Sequence, residues 1–397
     1  MKLSSTLSPI LMLLILMLFV KNHVFGKGLS NKAEISILTC SPGDEMYSQF
    51  GHSAIRVKDP VNQIDLVFNY GTFDFNTPNF YMKFARGKLN YMLSYTSFNH
   101  FKKEYIFEKR GIIEQKLNLN EKSVQNLFNA LVNNYQPKNR YYKYDFLFDN
   151  CSTRIRDIIE ENTNQKIKFS NHTVQNKTFW NLLDPYMENS RWIFLGIHMA
   201  LGLPCDATAK PYQYMFLPDH LMNALEQAQI SNQTNMPLVK YNRTILKPKI
   251  LLQTTKFTEK PSVIFGMLAI IGFLLSFFYY NKKRNLFLFD LFLFGATGLL
   301  GWVIIFLWFF TDHQATGPNL NILWAFPFHF PMILFLLKKK KSRLHLYFLC
   351  NSLILLITLS CWMILPQSLP NEVLPIVVLL LIRSIYITKK LKSVNLQ

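Results

Sequence analysis

The stretch Asp149-Asn150-Cys151-Ser152-Thr153-Arg154 holds the first candidate for covalent chemistry. Asn150 is a residue type favoured at a helix N-cap, so a helix is expected to begin directly after it. Cys151 then falls in the first turn, where the helix dipole and free backbone N–H groups favour a thiolate. Such an N–H also suits a developing oxyanion. A nucleophilic thiol needs a base, and His52 offers one in Phe50-Gly51-His52-Ser53-Ala54-Ile55-Arg56-Val57. A hairpin register that pairs Val57 with Ile64 sets His52 opposite Asn69 and Arg56 opposite Asp65, a favourable charge pair. Cys151, His52 and Asn69 would then act as nucleophile, base and orienting amide, a Cys-His-Asn form of the catalytic triad. The alternative for Cys151 is a structural thiol, packed under its helix or bonded to Cys40 or Cys205.

These residues need a scaffold. Glu34–Leu38, Ser53–Val57 and Ile64–Tyr70 read as strands, the last two joined by the turn-forming Lys58-Asp59-Pro60-Val61-Asn62-Gln63. Gly111–Leu119 is a further strand candidate. Val124, Leu127, Phe128, Leu131 and Tyr135 recur at helical spacing, which predicts a helix over Glu121–Tyr135. Ile155, Ile158 and Ile159 do the same for Ser152–Asn162. The remainder to about Asn235 reads as mixed and largely helical, and 236–260 as a polar linker. This part is therefore α+β.

Half of the 397 residues are hydrophobic and 35 are Phe. The apolar excess sits at the extreme N-terminus and in the last third. Lys2, the apolar Ile10–Val20 and Val24-Phe25-Gly26 predict a secretory signal peptide over residues 1–26. Five apolar runs follow residue 260: Val263–Tyr280, Leu286–Phe310, Leu320–Leu337, Leu344–Leu365 and Val373–Ile387. Lys and Arg crowd the segments after the first, third and fifth runs. The two other loops contain neither. The positive-inside rule puts the basic segments in the cytoplasm and residues 27–260 outside, in agreement with the signal. The domains expected are thus a signal peptide (1–26), an exported domain (27–235), a linker (236–260) and a transmembrane domain (261–397). The net charge of +19 is accounted for by cytoplasmic loops and by a surface beside anionic lipid, and no nucleic-acid partner is expected. His100, His172, His198 and His220 lack metal-ligand spacing, so neither a metal nor a cofactor is expected.

A histidine on an early hairpin followed by a helix-start cysteine resembles the circularly permuted NlpC/P60 members of the papain-like superfamily. The Asn150-Cys151 pair is similar to that of the lecithin:retinol acyltransferase group. Longer stretches resemble the Lnb family of Bacteroidota-type bacteria. They include Leu38–Ser48, Phe50–Val57, Asn69–Phe75, Asp145–Arg154, Phe216-Leu217-Pro218, and the loop with Asp312-His313 and Asn319–Trp324. This resemblance implies a papain-like α+β exported domain followed by an all-α bundle of five transmembrane helices in the inner membrane. It implies an acyltransferase that moves an acyl chain from a phospholipid to the N-terminal amine of a diacylated lipoprotein. Cys151 would accept the acyl group and His52 would be its base. Tyr47, Asn150, His313 and Asn321 are the candidate substrate-binding residues. The loop carrying His313 and Asn321 is expected to help form a lipid entrance. Asp290 and Arg383, inside the spans, are expected to snorkel to the interface. Two other functions are open: a cell-wall peptidase using the same thiol, which would need no five-span bundle, and a non-catalytic membrane module.

Overall fold

The computed structural model of the protein describes residues 28–170, 176–231, 236–248, 257–281, 286–335 and 342–395. The expected signal peptide, Lys282–Arg284, Lys338–Lys341 and residues 249–256 of the expected linker lie outside them. The chain forms two compact units from interleaved segments. The first takes Met1–Asp74, Asn90–Val174 and Pro211–Lys249. The second takes Phe75–Leu89, Gln175–Lys210 and Ile250–Gln397.

The first unit is built on an antiparallel sheet. Its strands are β1 (Glu34–Cys40), β2 (His52–Asp59), β3 (Ile64–Thr72), β4 (Asn90–Ser97), β5 (Ile112–Leu117) and β6 (Tyr141–Lys143). A small sheet joins β7 (Lys166–Lys168), β8 (Gln229–Ser231) and β9 (Met236–Pro237). The chain then returns to the large sheet as β10 (Val239–Leu246), giving the order β10-β5-β1-β2-β3-β4-β6.

Side chains alternate across each strand. Ile35, Ile37, Ile55, Val57, Phe68 and Tyr70 cover one face. They pack on helices α2 (Glu121–Tyr135), α3 (Cys151–Asn162) and α4 (Pro218–Gln227). The other face buries Leu38, Cys40, Ala54 and Val67 under Phe101 and Tyr105 of α1 (Phe98–Phe107). Each fully buried side chain of this size contributes roughly 1.5–3 kcal/mol. Arg56 crosses the sheet between Asp65 (2.7 Å) and Glu114 (3.1 Å), so this buried cation is paired.

One expectation about boundaries is corrected. The stretch expected as a linker contains β9 and β10, and β10 pairs with β5 along the sheet edge. Lys240, Tyr241, Asn242 and Arg243 are exposed there. An edge strand with a solvated face has polar residues where a central strand has apolar ones, which is why it reads as linker. Residues 75–89 and 175–210 pack within the second unit. Leu195, for example, joins the apolar cluster of Phe294 and Trp324.

The second unit is helical. Its long helices are α5 (Pro261–Asn281), α6 (Phe287–Phe309), α8 (Ser342–Ser360) and α9 (Leu374–Asn395), with the short α7 (His329–Phe335) between. Among the described residues, three helices are long and apolar enough to cross a membrane, Pro261–Tyr279, Phe287–Phe309 and Asn371–Lys392. Leu344–Ser360 is a shorter apolar helix. The third run, Leu320–Leu337, is not a continuous helix. It contains a 3-10 turn over Leu320–Leu323 and then α7. Pro327 lies between them, lacks a backbone donor and disfavours helix at Phe326. Arg383 does not snorkel. It is fully buried and grips Asp290 through two hydrogen bonds of 2.6 and 2.8 Å, with Ser276 Oγ at 3.0 Å. Far from water, a paired charge costs much less than a lone one.

Candidate active site

The site begins with the cap of α3. Asn150 has an extended backbone, and its side-chain oxygen accepts from the Ser152 and Thr153 N–H groups at 2.8 and 3.0 Å. Thr153 Oγ1 accepts from the Asn150 N–H at 2.8 Å, completing a capping box. The Asn150 amide nitrogen donates to the Phe146 and Phe216 carbonyls, both at 2.9 Å. The side chain is buried and satisfied by protein on both ends. Asn150 thus fixes where α3 starts.

Cys151 is the first residue of that helix and is half-buried. Ser53 Oγ and Ser152 Oγ meet at 3.0 Å and tie β2 to the helix start. The His52 imidazole and the Ser53 N–H both hydrogen-bond the thiol. His52 Nε2 lies 3.2 Å from Asn69 Oδ1. The Nε2 proton goes to that amide oxygen, which leaves Nδ1 to face the sulfur. Asn69 in turn donates to the Val67 carbonyl at 3.5 Å, which sets the amide's orientation.

The electrostatics follow from these contacts. Burial pushes the Cys151 thiol up, but the His52 charge and the hydrogen bonds from His52, Ser53 and Ser152 outweigh it. The thiol lies below its ordinary value. Burial pulls His52 down, yet the Cys151 charge and the bonds to Cys151 and Asn69 leave it above its ordinary value. A lowered thiol beside a raised imidazole favours the thiolate–imidazolium form, the activated form of a cysteine nucleophile.

The register differs from the one expected. Val57 pairs with Leu66, not Ile64, and Lys58 with Asp65. The slip is two residues. Because the side-chain period is also two, each residue keeps its face. His52 therefore reaches Asn69, and Arg56 reaches Asp65, as diagonal neighbours.

Several neighbours of the thiol are not evident from the sequence patterns above. Tyr142 and Tyr144 both act electrostatically on Cys151, and burial pushes both phenols well up. Tyr144 stacks on Tyr91 at 4.5 Å. The Arg154 guanidinium, held by Asp149, lies 3.6 Å over the Tyr142 ring. The run Tyr141-Tyr142-Lys143-Tyr144, just ahead of the Asn-Cys pair, is the signal that points to them. Gly71 has φ +87°, and a Cβ there would come within 3.7 Å of Cys151 Cβ. Only glycine adopts that backbone without strain.

Tyr47, His313 and Asn321 make contacts of their own. Tyr47 is 63% exposed on the turn Met46–Ser48, edge-on to Phe73 at 6.2 Å. His313 and Asn321 belong to the second unit. His313 Nε2 lies 3.1 Å from the Phe84 carbonyl. Asn321 is fully buried, accepts from Trp324 Nε1 at 3.0 Å and donates to Asn319 Oδ1 at 3.0 Å. It braces its own loop. Cys151 is a free thiol, not tied into a disulfide. Among the described residues, no three His, Cys, Asp or Glu side chains gather as a metal site.

Comparison with protein families returns two matches. The model of the Lnb N-terminal periplasmic domain matches residues 27–185. The model of the Lnb transmembrane domain, whose label denotes five helices, matches residues 253–393. Comparison with curated proteins and with solved structures returned no match. Two domains of one family in consecutive order cover most of the chain, and the α+β unit and apolar helices fit them. The chain belongs to the Lnb family and is a multi-pass membrane protein with a periplasmic domain.

Proposed function

We propose that this protein transfers an acyl chain from a membrane phospholipid to the N-terminal amine of a diacylated lipoprotein, through a thioester on Cys151. The observation that carries the reading is the lowered Cys151 thiol at a helix start, bonded to His52, in the periplasmic part of a membrane protein. Family membership is consistent with an enzyme.

In the first half-reaction the Cys151 sulfur attacks the ester carbonyl carbon, and His52 holds the thiol proton. The helix-start N–H groups are donors of the type that stabilises the tetrahedral oxyanion. The C–O bond then breaks, and His52 passes its proton to the departing glycerol oxygen. A lysophospholipid leaves and a thioester remains. In the second half-reaction the lipoprotein amine attacks the thioester carbonyl carbon. The C–S bond breaks, and the proton lost by the amine returns through His52 to the sulfur. An ester and an amine become an alcohol and an amide, with no other reactant. Asn69 keeps the imidazole aimed throughout, and the thioester divides one hard step into two easier ones.

The test is intact-mass analysis of the full-length protein incubated with phospholipid and no amine acceptor. The expected result is one acyl chain on Cys151, discharged by a diacylated lipopeptide and absent from Cys151→Ala. No adduct, together with cleavage of muropeptides by the same thiol, would replace the transferase reading with a peptidase.

A further inference from the structure

Residues 75–89 are unused by the chemistry above. They leave the sheet after Asp74, return to it at Asn90, and belong to the second unit. Their middle is the short helix Phe80–Ala85. Phe75, Tyr81, Met82 and Phe84 are exposed, Tyr81 by 80%. Lys83 lies among them, and Arg86 and Lys88 follow.

This strap is clamped just beyond the end of a span. The Asp312 N–H donates to the Arg86 carbonyl at 2.9 Å, and His313 Nε2 bonds the Phe84 carbonyl. Gly87 has φ +64°, and a Cβ there would approach His313 N within 3.1 Å, so the two backbones meet closely. Asp312 follows Phe309, the last residue of α6, by three positions. The outer side of α6 is itself bare and apolar, at Phe292, Leu299, Trp302, Val303 and Phe309. The strap therefore continues the lipid-facing surface of a membrane helix at its end.

Aromatic residues at a span's end, mixed with Lys and Arg, match the boundary between acyl chains and headgroups. We infer that the strap lies in the outer leaflet at this boundary, its aromatic side chains against phospholipid acyl chains and its basic residues near the phosphates. His313 is then a positioning residue that holds the strap at that depth. The inference deepens the proposed reaction by naming where the phospholipid donor is met, and rests on it only for the effect on turnover.

The test replaces Tyr81 with photoreactive benzoylphenylalanine in the full-length protein, in vesicles of phosphatidylethanolamine and phosphatidylglycerol. Irradiation is expected to add the mass of a phospholipid to the peptide carrying position 81, equally in a Cys151→Ala background. No lipid adduct, or a crosslink to protein in its place, overturns the inference. In a second arm, Tyr81→Asp with Met82→Asp should raise KM for vesicle phospholipid roughly tenfold, by placing charge against lipid. Alkylation of Cys151 by iodoacetamide should stay within about twofold, since the groups that tune the thiol are His52, Ser53 and Ser152 and these are unchanged. An unchanged KM removes the strap from donor capture. If Cys151 takes up no acyl chain at all, the reaction fails as proposed, while the crosslink still decides the strap.

Discussion

Cys40 and Cys151 are two thiols near the same strand, with opposite character. Cys40 ends β1 and is the backbone partner of His52. It is fully buried, and burial pushes its thiol up to about 12 despite a hydrogen bond to Tyr105 and the charge of Arg110. Cys151 also suffers burial, yet lies below its ordinary value. The difference is what faces the sulfur. Cys151 meets an imidazole, a backbone N–H and a helix start. Cys40 meets an apolar layer of Leu38, Ala54 and Ile112. Adjacency to a histidine along a ladder does not make a nucleophile; the direction of the side chain does.

Reactivity gives the sharpest contrast. At pH 7 the thiolate fractions of the two cysteines should differ by roughly a thousandfold or more, since each pKa unit is a factor of ten. Peptide mapping after brief iodoacetamide treatment should find Cys151 alkylated and Cys40 untouched. Comparable labelling of both would erase the comparison.

His52→Ala removes the cation that lowers the thiol, so the Cys151 pKa rises. Its alkylation-versus-pH curve should shift toward alkaline pH. Turnover should fall about 10²–10⁴-fold, the usual share of a general base. An unshifted curve would mean that the helix start alone tunes the thiol.

Asn69→Ala should cost less. Losing a hydrogen bond to a charged ring is worth about 1.5–3 kcal/mol, or roughly ten- to hundredfold in rate. Most of that loss belongs in kcat, because Asn69 orients His52 and not the substrate. A loss equal to that of His52→Ala would make the amide as indispensable as the base. Cys40→Ala should change turnover by less than about twofold, with a stability cost of about 1 kcal/mol from one lost buried group. A large loss of turnover there would show that the two thiols are coupled.

Local signals were readable wherever the deciding contacts lie within one turn of chain. Asn150 marks the start of α3 because its side chain caps N–H groups two and three residues on. Helix α2 spans the residues its apolar spacing predicts, Glu121–Tyr135. The Cys-His-Asn grouping was readable in outline because strand periodicity preserves the face of a residue even when the register slips by two. Asn150 and Asn321 show the limit of such signals. A polar amide looks the same in sequence whether it meets a substrate or its own carbonyls.

Local pattern alone is enough for the membrane class of the chain and for the helix start that presents a thiol. Apolar run length and basic residues act through the bilayer, and a cap acts through its neighbours, so neither needs distant parts of the chain. The remaining features depend on the folded chain as a whole. It recruits Val239–Leu246 to the sheet edge, brings Arg383 to Asp290 across 93 residues, and sets Ser53 and Tyr142 beside Cys151. Each of these pairings exchanges loop entropy for a contact between residues far apart in sequence. Which distant partner wins depends on the packing of the whole unit, and no local pattern encodes that choice.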